Sequence, residues 1–407
     1  LNLRFSLVVD AFSLDPRSAF AKPCRVESAG PFARTQLAFN HGRYEEARDA
    51  LLQLLHDNPR DPAVLRSLSL VSTRLDQPAQ AFRYAQQAVT AAPQDSEAHF
   101  SLALLYLLHG NYEKGFIEYE WRLLRANCVA PRYAQGELWD GRPLRSEALM
   151  LHCEQGFGDN LQFIRFLPQL RERVEKIHLA CHPELVRLFS GLEGLAGIVT
   201  DKQPLPPCEF HCPLLSLPRI LKVTLPTLPH DVPYLPFDPP APAPTASLRP
   251  RIGLVWRTNR ASPNWQQRSI PLADLQSLAD LPCDWISLQR DVDADEQALL
   301  RTVFRAEERG PAFRDFKDTA DALQTLDLLI TVDTSIAHVA GATGRPAWIL
   351  LPRWADWRWL LDRPDSPWYP SLTLLRQKTD GDWTSVAQTL REKLAQSILG
   401  AENVRPF

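Results

Sequence analysis

Residues 151–162 read Leu151-His152-Cys153-Glu154-Gln155-Gly156-Phe157-Gly158-Asp159-Asn160-Leu161-Gln162, and residues 328–342 read Leu328-Leu329-Ile330-Thr331-Val332-Asp333-Thr334-Ser335-Ile336-Ala337-His338-Val339-Ala340-Gly341-Ala342. Each stretch carries an apolar strand into a polar turn and out into a helix. In the first, Gly156 and Gly158 let the backbone turn tightly and let a ligand approach the chain closely. In the second, Thr334 and Ser335 place hydroxyls and unpaired N–H groups at a helix start, an arrangement suited to a phosphate.

Working outward, short apolar runs alternate with helical ones. Ala148–His152 and Ile177–Cys181 read as strands around a helix from Gly158 to about Val174, and a further helix starts at Pro183. Arg251–Trp256, Asp284–Leu288, Leu328–Val332 and Ala347–Leu351 repeat the alternation. Such strands predict βαβ units and parallel sheets, with ligands outside the carboxyl ends of the strands. Pro236-Phe237-Asp238-Pro239-Pro240-Ala241-Pro242-Ala243-Pro244 reads as a stiff, extended linker.

Upstream, the pattern is helical with a 34-residue period: Pro59 recurs as Pro93, Ala47 as Ala81 and, as a small residue, Gly115. Gly42-Arg43-Tyr44-Glu45-Glu46-Ala47 returns two periods later as Gly110-Asn111-Tyr112-Glu113-Lys114-Gly115. This resembles the tetratricopeptide repeat (TPR), whose stacked helical hairpins grip another chain. The expected helices are Phe32–Asn40 with Tyr44–His56, Pro62–Leu75 with Ala79–Ala92, and Asp95–His109 with Tyr112–Arg125, Asp61 capping the third. Leu37, Val71 and Leu105 fall one period apart on the inner face; Leu54, Ala88 and Arg122 do likewise, the arginine breaking the apolar pattern. An arginine there predicts a last helix that faces something other than another repeat. The predicted organisation is an undefined segment at 1–28, TPR repeats at 29–130, a first Rossmann-like half at 131–237, a proline-rich linker at 238–250 and a second half at 251–407.

Composition narrows the function classes. The chain has 407 residues, 45% hydrophobic and 23% charged, with a net charge of −3. That balance gives no case for nucleic acid or an anionic membrane surface. No apolar run reaches the roughly 20 residues of a transmembrane helix. Leu1–Asp10 is apolar but lacks a cleavage motif and is not read as a signal peptide; the only methionine is Met150, so the natural start is expected to lie elsewhere. Seven scattered cysteines predict reduced thiols and a cytoplasmic protein, with peripheral attachment to the inner membrane as the other placement. His178, Cys181 and His182, then Cys208, His211 and Cys212, read as a buried strand and a proline-rich loop, so no metal site is expected.

Two readings stand at each motif. Asp159, in a first helical turn, serves as a cap or as a general base aimed into a cleft. Asp333 anchors its turn or accepts from ribose hydroxyls, and His338, one turn beyond Thr334 on the same face, is a core histidine or a ligand contact.

Taken together, Glu154–Asp159, Phe163–Pro168, Arg251–Trp256, Arg268-Ser269-Ile270-Pro271-Leu272, Ser287-Leu288-Gln289, Val332–His338, Trp354–Trp359 and Ser366-Pro367-Trp368-Tyr369-Pro370 resemble bacterial glycosyltransferases related to the heptosyltransferase family, specifically members with amino-terminal TPR repeats. The resemblance implies an α-solenoid followed by α/β, with two Rossmann-like halves of GT-B type facing a cleft. It implies inverting, metal-independent transfer from a nucleotide-sugar donor, which is a substrate, so no cofactor is expected. Asp159 matches the catalytic base. Gln155, Gly156, Gly158, Arg268, Asp333, Thr334, Ser335 and His338 match donor and phosphate contacts, and Trp256 and Gln289 face the base or ribose. The repeats would recruit a protein acceptor, flagellin-like by the same resemblance. The alternatives are a transferase for lipopolysaccharide or surface polysaccharide and a non-catalytic TPR scaffold. One position departs: the heptosyltransferase pattern has histidine where this chain has Gln162, which weighs against a heptose donor and a lipopolysaccharide acceptor. Trp354–Tyr369 has two readings, stacking on sugars or bases and, favoured, aromatic packing where the last helix crosses between the halves.

Overall fold

A computed structural model describes residues 31–126, 133, 136–238, 249–262 and 264–399. The segment 1–28 and most of the 238–250 linker lie outside the described residues. Internal packing divides the chain into two units. The first is the described part of 1–130 together with Ala261–Asn264 and Asp356–Leu361; the second is the rest, and holds both sheets.

The first unit is three helical hairpins: α1 (Pro31–Asn40) with α2 (Tyr44–Asp57), α3 (Pro62–Arg74) with α4 (Pro78–Ala91), and α5 (Ser96–Leu108) with α6 (Tyr112–Tyr119). Asp61 caps α3 by accepting from the N–H groups of Ala63 (2.9 Å) and Val64 (3.2 Å), and Asp95 caps α5 through Glu97 N–H (2.9 Å). Gly42 and Gly110 turn the chain with φ of 71° and 74°; one period from each, Asp76 takes the same left-handed conformation at 57°. Ala47 and Ala81 are fully buried, and at Gly115 a Cβ would meet Leu107 Cδ2 at 2.6 Å, so the small positions let paired helices close together.

Val71 and Leu105 are buried on the inner face; Leu37, on the first described helix, is 37% exposed. The last helix tightens into a 3-10 turn at Glu120–Leu124 rather than running to Arg125. There Arg122 is buried, bonded to Glu120 Oε1 (2.7 Å) and Tyr119 O (3.2 Å). The partner of α6 is Trp357, which packs edge-on to Tyr112, Phe116 and Tyr119 at ring distances of 6.2, 5.9 and 6.2 Å. Trp357 is therefore a packing residue, but it covers the repeats.

The second unit has two all-parallel sheets. The first contains β1 (Glu137–Leu138), β2 (Leu144–His152), β3 (Val174–Ala180), β4 (Leu195–Val199) and β5 (Phe210–Pro213) in the order β1-β5-β2-β3-β4. Its helices are α7 (Phe157–Phe163), α8 (Leu167–Arg171), α9 (Pro183–Phe189) and α10 (Leu217–Ile220). The single helix expected over 158–174 is broken: a 3-10 turn at Ile164–Phe166 precedes Pro168, whose ring and missing N–H fit a new helix start, and Val174 already belongs to β3. Cys208–Pro213, expected as loop, supplies β5, with Cys212 buried and His211 Nδ1 3.3 Å from His152 Nε2.

The second sheet runs β11-β10-β9-β6-β7-β8, from β6 (Arg251–Val255), β7 (Asp284–Ser287), β8 (Glu307–Glu308), β9 (Leu328–Val332), β10 (Ala347–Leu351) and β11 (Leu372–Arg376). Helices α11 (Ala294–Leu299), α12 (Phe316–Leu323), α13 (Ser335–Ala342) and α14 (Trp383–Leu399) accompany it. Every residue of β9 and β10 is buried, as expected of central strands in a parallel sheet covered on both faces. No described helix is long and apolar enough to cross a membrane.

Candidate active site

In each sheet the strand order reverses once beside a central strand. In the first the reversal falls between β2 and β5; in the second, between β6 and β9. Loops leaving adjacent strands at such a point diverge and open a crevice, which is where open α/β sheets bind ligands. Residues 153–159 follow β2 and residues 333–335 follow β9, so both motifs sit at these reversals.

The first loop is held by its own polar groups. Cys153 N donates to Ala180 O (2.8 Å), and Glu154 N to Asn160 Oδ1 (3.1 Å). Asn160 Nδ2 donates back to Gly156 O (2.9 Å), and Gly156 N donates to Asp159 Oδ2 (2.9 Å). Asp159 thus caps α7 and is 8% exposed. Gln155 is exposed, with φ of 58°. At Gly158 a Cβ would lie 2.8 Å from His338 Cδ2 and 3.2 Å from its Nε2. The glycine therefore lets α7 press against α13, and the two motifs touch. His338 is buried, with Nδ1 2.9 Å from the Tyr369 hydroxyl.

The second loop is built differently. Thr334 is the N-cap residue of α13, extended at φ −137° and ψ 172°, yet its side chain makes no capping bond. Its Oγ1 is buried and has no partner among the described residues. Ser335 is half-buried. Arg268 Nη2 donates to Asp333 O (2.7 Å) and meets Asp333 Oδ2 at 3.0 Å, while its Nε is buried and unpartnered. Asp333 therefore anchors its turn and holds Arg268 beside the start of α13. A second cation stands near: burial pushes the Arg376 pKa down to about 10, with Asp362 and Asp333 pulling the other way.

Trp256 does not face a ligand. It is fully buried in the core of the second sheet, and its indole N–H donates to Glu296 Oε1 (2.8 Å). Gln289, 6% exposed, uses Oε1 to accept from Arg257 N (3.2 Å). Both expected nucleotide contacts instead support Arg257, whose guanidinium binds Glu296 at 3.1 and 2.9 Å and the Asp291 carbonyl. Burial raises the Glu296 carboxyl pKa, but the bonds from Arg257 and Trp256 bring it below the usual range.

Three residues with no expected role complete the surroundings: Asn160, Arg165 and Tyr369. The signal for Arg165 was its place in Phe163-Ile164-Arg165-Phe166, a cation with apolar neighbours on every side. Among the described residues no three His, Cys, Asp or Glu side chains gather as a metal site requires. Burial pushes the Cys181 thiol up to about 12, which leaves it protonated.

A tetratricopeptide-repeat family model matches residues 32–96 and 73–127. The chain is 25% identical over 336 residues to Protein FlbA of Caulobacter vibrioides, covering 74% of this chain and 56% of that protein, so it spans about half the length of this curated relative. Among solved structures it is similar to a family 9 glycosyl transferase from Veillonella parvula (13% identity, 65% of this chain, 100% of that one, TM-score 0.46). It is also similar to the E. coli heptosyltransferase WaaC with ADP (11% identity, 61% and 99% coverage, TM-score 0.42).

Proposed function

We propose that this chain, a tetratricopeptide-repeat array followed by an α/β unit of two parallel sheets, is a glycosyltransferase that moves a sugar from a nucleotide-sugar donor to a hydroxyl of a protein held by the repeats. The observation that carries the reading is the contact of Gly158 with His338, which brings Asp159 and the start of α13 into one neighbourhood.

In this reading the donor diphosphate lies at the start of α13. Backbone N–H groups, the unpartnered Thr334 hydroxyl, Ser335 and the Arg268 guanidinium supply hydrogen bonds and positive potential there. The acceptor oxygen attacks the anomeric carbon from the face opposite the phosphate, so configuration inverts. Its proton passes to the Asp159 carboxylate, and the electron pair of the breaking C–O bond leaves with the nucleoside diphosphate. Gly156 N–H fixes the carboxylate during this transfer. Charge on the leaving phosphate is met by the helix start, Arg268 and Arg376, the work a divalent cation does elsewhere, so the proposed reaction is metal-independent.

A thermal-shift panel of nucleoside diphosphates tests donor binding. One nucleotide at a hundredfold its Kd stabilises the protein by about 2.7 kcal/mol; a panel with no shift counts against the reading. Capture of an acceptor protein by the whole chain, lost when the exposed repeat charges Arg34, Glu45, Asp49 and Arg83 are reversed, tests recruitment. Equal capture by the charge-reversed chain removes the repeats from the account.

A further inference from the structure

We propose that Arg165 is a positioning residue that fixes α7, and with it Asp159, against α13; this inference rests on the transferase reading above. Arg165 is 4% exposed, on the 3-10 turn that follows α7. Its Nε donates to Gln162 O (3.0 Å) on its own helix. Nη1 donates to Pro229 O (2.9 Å) and to Trp368 O (2.7 Å), and Nη2 to the Tyr234 hydroxyl (3.1 Å). Four of the five guanidinium N–H groups are thus spent, one on the preceding helix and three on the distant stretches at 229–234 and 368. Among the described residues it pairs with no carboxylate. Instead its Cζ lies 4.7 Å from the Tyr234 ring centre, 5.2 Å from that of Trp368 and 4.7 Å from that of Tyr369.

Each segment it ties leads to the candidate site. The Tyr234 hydroxyl donates to Leu161 O (2.9 Å) on α7, while Tyr234 N donates to Ala342 O (2.9 Å) at the end of α13. Tyr369 holds His338 through its hydroxyl, and its ring abuts Gly341, where a Cβ would come within 2.3 Å of Cδ1. His338 in turn abuts Gly158. The path from Arg165 through Tyr369 and His338 therefore returns to the residue beside Asp159. A planar fork is needed to reach three acceptors at once, and lysine cannot copy it.

Arg165→Lys and Tyr369→Phe test this in the full chain. Nucleotide affinity by thermal shift should stay within about twofold, because the start of α13 and Arg268 are untouched. The kcat for donor hydrolysis should fall by about tenfold or more in Arg165→Lys, and less in Tyr369→Phe, with KM for donor little changed. Hydrogen exchange at the Tyr234 and Leu235 amides of the ligand-free Arg165→Lys protein should accelerate, with none at α1–α6. Unchanged kcat, or loss of nucleotide affinity in step with kcat, would overturn the proposal. If wild type neither binds nor hydrolyses any nucleotide sugar, the transferase reading fails; the exchange experiment still decides the clamp, and unchanged exchange at 234–235 overturns it.

Discussion

The loop after β2 and the loop after β9 each leave a strand that borders the reversal in its sheet, but they are finished differently. The first is internally satisfied: Asn160 spans it, Asp159 caps it, and its N–H groups at 153, 154 and 156 all have partners. The second begins a helix with no side-chain cap and leaves a buried hydroxyl unpaired. A rigid loop suits a group that must be aimed, and an open helix start suits a group that must be received. The difference supports the proposal that the first loop aims the base and the second receives the diphosphate.

The largest expected effect comes from blunting the aimed group. Asp159→Asn should lower the kcat for transfer or donor hydrolysis by about 10²–10⁴-fold, as for loss of a general base. The amide oxygen still accepts from Gly156 N, so the melting temperature should barely move.

Breaking the support of the receiving side comes next. Glu296→Gln leaves the buried Arg257 without its anion and should cost about 3–5 kcal/mol in urea unfolding. The wild-type pair also predicts a pH dependence. The folded Glu296 pKa is depressed, so its stabilisation is present above the unfolded carboxylate range and is lost as pH falls through the lower folded value. Acid titration of stability should show that loss in wild type and a flatter curve in Glu296→Gln.

Gly158→Ala sharpens the comparison by forcing the two loops apart. Its Cβ meets the His338 ring at 2.8 Å, an overpacking that should cost about 1–3 kcal/mol of stability and lower turnover more than nucleotide affinity. Thr334→Val is the smallest change. Removing a buried, unpaired hydroxyl should leave stability equal or slightly raised, while nucleotide affinity falls by about 1 kcal/mol, near fivefold. Unchanged affinity would mean that the hydroxyl does not meet the ligand.

The repeat array was largely legible in the sequence because its rules are local. Asp61 caps its helix as its position next to Pro62 implies, and Gly42 and Gly110 mark turns one can read directly. Asp76 escaped notice because only the backbone reveals that it matches them. In the α/β unit the central strands were legible from their apolar runs, whereas β5 is four residues within a proline-rich stretch. The candidate site was legible as a place in the chain through its glycines and its Asp-Thr-Ser turn. What the residues touch was not: Trp256 ends a strand as a ligand contact would, yet its ring lies in the core with Glu296, forty positions away, on its N–H. Arg165 meets Trp368 across 203 positions, beyond any periodicity.

The most direct measurement pairs turnover with binding in one variant. For the nucleotide that stabilises wild type, the Asp159→Asn protein should show an equal thermal shift and at least about a hundredfold slower release of sugar from the matching nucleotide sugar. Equal rates of release in the two proteins would contradict the assignment of Asp159 as the base and leave the touching loops without a chemical role.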